Sequence, residues 1–314
     1  MKKKNLISII LLLSTVLACR KEGPQAAAPL NFATEQTKAG LSTVFENFKV
    51  WGSSVWGSSS SVMEGYKVYF DAATGWTYTE VQGTEGQKLQ YWNYSAQEFR
   101  FHAGAPLERV RRIRESSIEM EILSTQVLSE TSLYSAPYVV SRKDPAYGEL
   151  VNLSFRYANA RVNVAFRCVS DSQVSIEDVK LLPPSALADR ADMSIGYDWA
   201  RVAADAELSS VASRALPELA FPDMKIAGDA QSFSESSLAW YMVPDPVSKG
   251  QWRLRARVNG VDKIIPFTVS KPWEAGKSYL YRFEYTDKAN LVFVGTSELF
   301  IGEDPVDGGE HNFS

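Results

Sequence analysis

Few residues in this chain have the chemistry that catalysis requires. Among its 314 residues there are only two histidines, His102 and His311, and two cysteines, Cys19 and Cys168. Histidine is the usual general base near neutral pH and a common zinc ligand. The sequence nevertheless contains no H-E-x-x-H, paired C-x-x-C, P-loop or G-x-S-x-G pattern. We therefore predict that the protein is not an enzyme and that it uses no metal and no cofactor.

Charged clusters offer further candidates for binding. The basic run from Arg109 to Arg114 could bind an anionic glycan or present a protease site, but a solvated strand edge is the more common role of such a run. Glu119 and Glu121 alternate with apolar residues, which is typical of the solvent face of a strand. Acidic residues near the C-terminus lack the spacing of a calcium loop such as the EF-hand. We interpret them as a mobile acidic tail: Glu303, Asp304, Asp307 and Glu310.

The N-terminal residues carry the clearest chemical signal. Three lysines, Lys2–Lys4, precede an apolar run from Leu6 to Leu13, and Val16-Leu17-Ala18-Cys19 follows. This pattern predicts a signal peptide over residues 1–18, since the apolar run is shorter than the roughly 20 residues that span a bilayer. The last four residues resemble a bacterial lipobox, which predicts lipidation of Cys19. The alternative is an ordinary signal peptide with a cysteine by chance. Either way we predict an exported protein.

The remaining 296 residues are enough for about two domains. Without the three signal-peptide lysines the balance is 30 basic against 37 acidic side chains, a net charge of −7, which argues against nucleic acid as a partner. If Cys19 carries lipid, Cys168 has no partner for an intramolecular disulfide, and we interpret it as a packed core side chain.

The elements that must position any site are predicted to be β-strands. Short alternating runs separated by Gly, Asn and Asp predict a sandwich or barrel, and Asn259-Gly260 predicts a tight hairpin. We interpret residues 19–40 as a tether, in which Leu30–Ala33 could form a strand. The turn-rich residues 142–148 suggest domains over residues 41–148 and 149–314. Residues 185–236 fit either a short helix near Arg201–Arg214 or loosely patterned strands.

The eight tryptophans fall mostly within or beside these strand patterns, which favours packing in the core over a sugar-binding platform. Trp56 differs because serines and glycine flank it, in Ser53-Ser54 and Gly57–Ser61. We therefore predict that Trp56 is exposed on a loop, where it could make an adhesive contact.

An ordered set of loose motifs resembles the Mfa-like fimbrillin family, the type V pilus lipoproteins of Bacteroidales. The set runs from residue 37 to residue 285, and residues 185–236 contribute nothing to it. Its elements are Thr37-Lys38-Ala39, Phe45–Gly52, Val62–Val68, Trp76–Tyr78, Leu89–Trp92, Phe99–Pro106, Val151–Val162 and Trp273–Tyr281.

The resemblance implies two tandem transthyretin-like β-sandwich domains and a stalk, tip or anchor subunit of a pilus, lipid-anchored to the outer membrane. It also implies assembly by donor-strand exchange with other subunits or with itself, in which proteolysis removes an N-terminal strand. The candidate cut site is Lys38. The candidate removable strand is Leu30, Asn31, Phe32 and Ala33, and the candidate donor strand contributes Val292, Val294, Leu299 and Ile301.

A second interpretation of the function is also consistent with the sequence. The segment around Leu30–Ala33 could be a simple tether, and the protein could be a surface lipoprotein that does not polymerise. Such a protein would bind a host or bacterial surface glycan, or another protein, through an exposed aromatic residue such as Trp56.

Overall fold

The computed structural model describes residues 27–35, 45–286, 288 and 290–301. These residues form 22 β-strands and three one-turn 3₁₀ helices, Leu107–Arg109, Leu128–Glu130 and Pro246–Ser248, without an α-helix. In this part of the chain no helix has the length and apolar character needed to cross a membrane. The prediction of a mainly β fold is confirmed.

The first ten strands belong to the N-terminal half of the chain: β1 (Phe32–Glu35), β2 (Asn47–Trp56), β3 (Ser58–Asp71), β4 (Gly75–Thr77), β5 (Glu98–Ala105), β6 (Val110–Arg114), β7 (Ser117–Leu123), β8 (Leu133–Ser135), β9 (Tyr138–Ser141) and β10 (Val151–Tyr157). The other twelve follow: β11 (Ala160–Cys168), β12 (Val174–Leu182), β13 (Arg190–Asp198), β14 (Ala203–Ser213), β15 (Leu219–Phe221), β16 (Met224–Ile226), β17 (Ser234–Glu235), β18 (Trp240–Met242), β19 (Gly250–Val258), β20 (Val261–Val269), β21 (Lys277–Tyr285) and β22 (Leu291–Phe300).

An eight-stranded sheet organises the first sandwich, in the order β1-β10-β8-β5-β2-β3-β4, with β9 also paired to β5. Its central strand β5 is buried on both faces. Phe99 and Phe101 enter an aromatic core with Phe48, while His102 points to the opposite face. A four-stranded sheet, β14-β13-β7-β6, covers that opposite face with the apolar stripe Ile118, Met120 and Ile122. This stripe was predicted from the alternation along β7.

The second sandwich encloses a separate core between two five-stranded sheets. One sheet has the order β17-β11-β21-β22 with β18 also on β11, and the other has the order β15-β12-β19-β20 with β16 also on β12. Trp252, Phe166 and Phe283 are buried between them, as is Cys168, which is a free thiol. Tandem β-sandwiches are therefore the observed architecture.

Strand pairing crosses the turn-rich segment that suggested a domain boundary. β10 follows that segment, yet it pairs with β8 and with β1 in the first sandwich. The hairpin of β13 and β14 also joins the first sandwich, because Met193 and Ile195 of β13 lie opposite Met120 and Ile118 of β7. Burying these apolar pairs between two sheets stabilises the long-range arrangement.

Two local predictions have opposite outcomes. The hairpin at Asn259-Gly260 is confirmed: both residues have positive φ, 47° and 80°, and they join β19 to β20. Of the two alternatives left open for residues 185–236, the helix near Arg201–Arg214 is wrong and the strands are observed, since β14 occupies Ala203–Ser213. Its alanines favour a helix locally, but pairing with β13 lets half-buried Ala206 and Leu208 cover the core.

Candidate functional site

The N-terminal segment 28–35 closes a seam of the first sandwich, between β10 and the loop residues 90–92. On one side, β1 runs parallel to β10, with Phe32 opposite Val151 and Glu35 opposite Ser154. On the other side, the Leu30 N–H donates to the Gln90 carbonyl at 2.8 Å, and the Trp92 N–H donates to the Ala28 carbonyl at 2.9 Å. The segment is thus hydrogen-bonded along both of its edges.

Alternate side chains of this segment enter the aromatic core. Leu30 is fully buried and Phe32 is 5% exposed, whereas Asn31 between them is exposed. The Phe32 ring makes edge-to-face contacts with Phe48, Tyr78 and Phe101 at centroid distances of 5.8, 5.9 and 6.1 Å. The predicted strand therefore exists, shifted by two residues from Leu30–Ala33 to Phe32–Glu35.

Sequence reasoning did not assign Tyr78 a role beside this segment. Its hydroxyl donates to the Leu30 carbonyl at 2.9 Å across a separation of 48 residues. Burial raises the pKa of Tyr78 to about 12, so the hydroxyl stays protonated and able to donate at physiological pH. No local pattern could identify this partner, because the contact depends on how the sheet curls.

The candidate donor strand is β22, the edge strand of one sheet in the second sandwich. It pairs with β21 over nine residue pairs, and the register shifts between Arg282 and Phe283, where Gly295 has a φ of 154°. Val292 and Val294 are exposed, at 37% and 45%. Leu299 and Ile301 are half-buried, and Ile301 packs against the aromatic core of the first sandwich.

Trp56 lies at the tip of the long hairpin formed by β2 and β3. Its side chain is 61% exposed, and Ser58–Ser61 beside it are also exposed. Gly57, with a φ of 69°, makes the turn between the two strands. Trp56 is therefore exposed as predicted, but as the last residue of β2, paired with Ser58, and not on a loop. Its aromatic face is available for contact with a ligand or another surface.

Replacing Trp56 with alanine should change the free energy of unfolding by less than about 0.5 kcal/mol, because an exposed side chain loses little packing. The matched replacement is Trp92→Ala, which removes a ring that is 1% exposed and should cost about 3–5 kcal/mol. Urea unfolding followed by circular dichroism measures both. A large loss at Trp56 would mean that the ring packs within the fold and is not free for contact.

The basic run is balanced by carboxylates on the same four-stranded sheet. Arg109 lies 3.0 Å and Arg111 lies 3.1 Å from Glu121, and Arg111 also lies 2.8 Å from Asp192. Arg112 pairs more loosely with Glu119, at 3.6 Å. This ladder supports the interpretation of a solvated strand face for the arginines and for Glu119 and Glu121.

Several predicted residues lie outside the part of the chain that the structure describes. They are the lipidation residue Cys19, the cut-site residue Lys38 and the acidic tail from Glu303 to Glu310. Within the described residues, no group of three His, Cys, Asp or Glu side chains is arranged to hold a metal ion.

The chain is similar to one protein family in sequence and to several known structures in fold. The fimbrillin-like family pattern matches residues 37–298. A crystal structure of a candidate cell adhesion protein from Bacteroides uniformis superposes with a TM-score of 0.50 at 14% identity, covering 89% of this chain and 99% of that one. A crystal structure of a similar candidate cell adhesion protein from Bacteroides ovatus superposes with a TM-score of 0.50 at 13% identity. The match covers 88% of this chain and 99% of that one.

At such low identity these structures establish the shared fold alone. No functionally curated protein matches the chain. The family match covers most of the chain, including both sandwiches, and the observed tandem β-sandwich fold agrees with it. This chain belongs to the fimbrillin-like family.

Proposed function

We propose that this protein is a structural or adhesive subunit of a pilus, exported and first held at the outer membrane surface by a lipid on Cys19. We propose further that it assembles with other subunits by strand exchange after a cut at Lys38 removes segment 28–35 together with the lipid. The observation that carries the proposal is the two-sided hydrogen bonding of segment 28–35. Another strand could take the place of such a segment through the same main-chain hydrogen bonds.

The chemistry of the seam suits an exchanged strand. If segment 28–35 leaves, it uncovers main-chain groups of β10 on one side and of residues 90–92 on the other. It also uncovers an aromatic floor that includes Phe48, Tyr78 and Phe101. Strand addition takes its affinity from main-chain hydrogen bonds and its specificity from alternate side chains. The exposed aromatic floor would make the empty groove unfavourable in water.

The candidate donor offers apolar residues at the required spacing. Leu30 and Phe32 are two residues apart, and so are Val292 and Val294, and Leu299 and Ile301. Residues two apart lie on one face of a strand, so either pair could occupy the positions of Leu30 and Phe32 in a neighbouring subunit. Donation requires that β22 leave β21, and the register shift at Gly295 interrupts the ladder that must open.

Limited digestion with a lysine-specific protease tests this proposal. We expect a cut after Lys38, followed by oligomers that resist SDS, because cleavage separates segment 28–35 from the sandwich that it closes. Lys38→Gln is the matched control and should remain monomeric under the same digestion. Mass spectrometry locates the cut, and gel filtration gives the size of the products. Clean cleavage at Lys38 with the protein remaining monomeric would contradict assembly by this route.

The exposure of Trp56 favours a second candidate function, the binding of a surface glycan or protein without polymerisation. An aromatic ring on a serine-rich hairpin tip can stack against a sugar ring or an apolar side chain. A glycan array and a cell-adhesion assay with the wild type and Trp56→Ala would test this function. Equal binding by both forms would exclude Trp56 as the contact residue.

Lipid anchoring has its own test. Labelling cells that express the chain with a radioactive fatty acid should mark the wild type and leave Cys19→Ser unmarked. Label on the Cys19→Ser variant would mean that Cys19 is not the lipidated residue. This result would not affect the strand-exchange proposal, which depends on the seam.

A further inference from the structure

β14 is an edge strand of the four-stranded sheet. Among the described residues β14 pairs only with β13, and it ends the order β14-β13-β7-β6. Other edges are protected in ways that natural proteins commonly use. β6 carries Arg111, Arg112 and Arg114, and β20 carries Pro266, which cannot donate a hydrogen bond. β14 contains no proline, lysine or arginine.

Only one part of β14 pairs with β13 without a register shift. Register shifts interrupt the pairing with β13 at Arg190–Ala191 and at Asp192–Met193, opposite the C-terminal part of β14. From Ala203 to Leu208 the pairing is unbroken. Bulges discourage the addition of another strand, so the available edge is the six-residue stretch Ala203–Leu208.

A cavity of about 500 Å³ lies along this same stretch. Ala204, Ala206 and Leu208 line it, and so does Asp205, whose side chain points to the opposite face of the strand. Tyr134 and Met193 also line it, so the cavity opens on the core-facing side of β14. Its volume is within the range of roughly 300–1,000 Å³ that is typical of binding sites.

The opposite wall of the cavity comes from the second sandwich. Glu274 and Lys277 line it near the start of β21, and Phe300 lines it at the end of β22. The Phe300 ring is 58% exposed and offers an apolar contact. The Lys277 ammonium lies 2.8 Å from Glu274 and 2.5 Å from Glu298, which neutralises its charge locally. The carboxylates Asp205 and Glu207 are exposed on the other face of β14.

We propose that this groove accepts an extended segment of a partner protein, which adds a fifth strand alongside Ala203–Leu208. The segment carries alternating apolar and basic residues. Its apolar side chains enter the cavity and contact Leu208 and Phe300, and its basic side chains, on the other face of the added strand, lie beside Asp205 and Glu207. This mode is β-strand addition, as in the seam of the first sandwich, but β14 covers the other face of the eight-stranded sheet. Both sites can therefore be occupied in one molecule.

The test uses the purified full-length chain and a fluorescent ten-residue peptide of alternating lysine and valine. Fluorescence anisotropy measures its affinity, with an alternating glutamate and valine peptide for comparison. We expect the glutamate peptide to bind at least about tenfold more weakly, which corresponds to about 1.4 kcal/mol. We also expect the amides of Ala203–Leu208 to gain protection from hydrogen exchange when the lysine peptide binds.

Two substitutions with matched controls identify the groove. Asp205→Lys and Phe300→Ser should each weaken binding of the lysine peptide by about tenfold. Asp262→Lys and Ile264→Ser make the same changes at exposed positions on β20 and should leave the affinity unchanged. Circular dichroism shows whether each variant folds.

Three outcomes would overturn the proposal. Equal binding of the two peptides would exclude charge recognition by the groove. Protection of amides elsewhere, without protection of Ala203–Leu208, would exclude this edge as the site. Dimerisation of the chain in sedimentation, abolished by Phe300→Ser, would mean that a second copy occupies the groove and that a partner protein does not.

Discussion

Replacing Phe32 with alanine should destabilise the first sandwich by about 3–5 kcal/mol, the usual cost of removing a buried phenylalanine ring. The ring is 5% exposed and contacts three other aromatic rings, so its loss leaves a cavity in the core that surrounding residues can fill only in part. Each edge-to-face pair also contributes beyond the buried area. Urea unfolding monitored by circular dichroism gives the change in the free energy of unfolding.

Asn31→Ala is the matched control for this prediction. Asn31 is adjacent in sequence and exposed, so its replacement should cost less than about 0.5 kcal/mol. If Phe32→Ala were as stable as Asn31→Ala, segment 28–35 would not be docked in solution. The same variant should also accelerate replacement of the segment by an added strand peptide, by more than about a hundredfold if the lost energy stabilises the docked segment alone.

His102 should make the first sandwich sensitive to acid. The residue is fully buried on β5, with its ring stacked on Tyr197 of β13 at 4.1 Å and near Trp199 at 5.5 Å. Neither ring nitrogen makes a hydrogen bond of ordinary length and angle with the described residues, although backbone groups of Arg114 and Glu115 lie close enough to interact. Burial lowers the pKa of His102 from 6.5 to about 3, while the interaction with the backbone of Arg114 and Glu115 acts in the opposite direction.

The sign of the effect follows from the lowered pKa. The unfolded chain takes up a proton as the pH falls below 6.5, while the folded chain does not until about pH 3. The contribution of neutral His102 to stability is therefore complete above pH 6.5 and declines through the window from 6.5 to 3. The free energy of unfolding should fall by about 1.4 kcal/mol per pH unit within that window.

Comparing the wild type with His102→Phe separates the contribution of His102 to the pH dependence of stability from the contributions of the carboxylates. Phenylalanine preserves a ring that can stack on Tyr197 and cannot be protonated. Urea unfolding of both proteins at pH 7, 6, 5 and 4.5 gives two curves. We expect the free energy of unfolding of the wild type to fall relative to that of His102→Phe by about 1.4 kcal/mol per pH unit. Parallel curves would mean that His102 becomes protonated in the folded protein at these pH values.

Local patterns along the sequence predicted the strands whose partners lie close in the chain. Ile118, Met120 and Ile122 alternate with polar residues, and β7 buries them as expected. Asn259 and Gly260 tolerate the positive φ that a two-residue hairpin requires, and the hairpin forms there. The exposure of Trp56 followed from its serine and glycine neighbours. In each case the information lies within about ten residues.

Other elements depend on contacts that no local pattern contains. Residues 89–92 alternate like a strand, yet they form only an isolated bridge between Tyr91 and Pro29. Alanines in β14 favour a helix, but pairing with β13 outweighs that preference because it covers the core. The parallel pairing of β1 with β10 joins Phe32 to Val151 across more than a hundred residues.

The sequence alone determined the class of fold, the shortage of catalytic side chains and the resemblance to the fimbrillin-like family. These features depend on composition, on alternation with a period of two and on the order of short motifs, all of which can be read along the chain. Only the tertiary structure decided that segment 28–35 closes a seam, that His102 is buried against Tyr197, and that β14 pairs with β13 alone among the described strands, beside a groove. The physical reason is that burial and edge pairing depend on which distant strands come together, and many pairings satisfy the same local alternation.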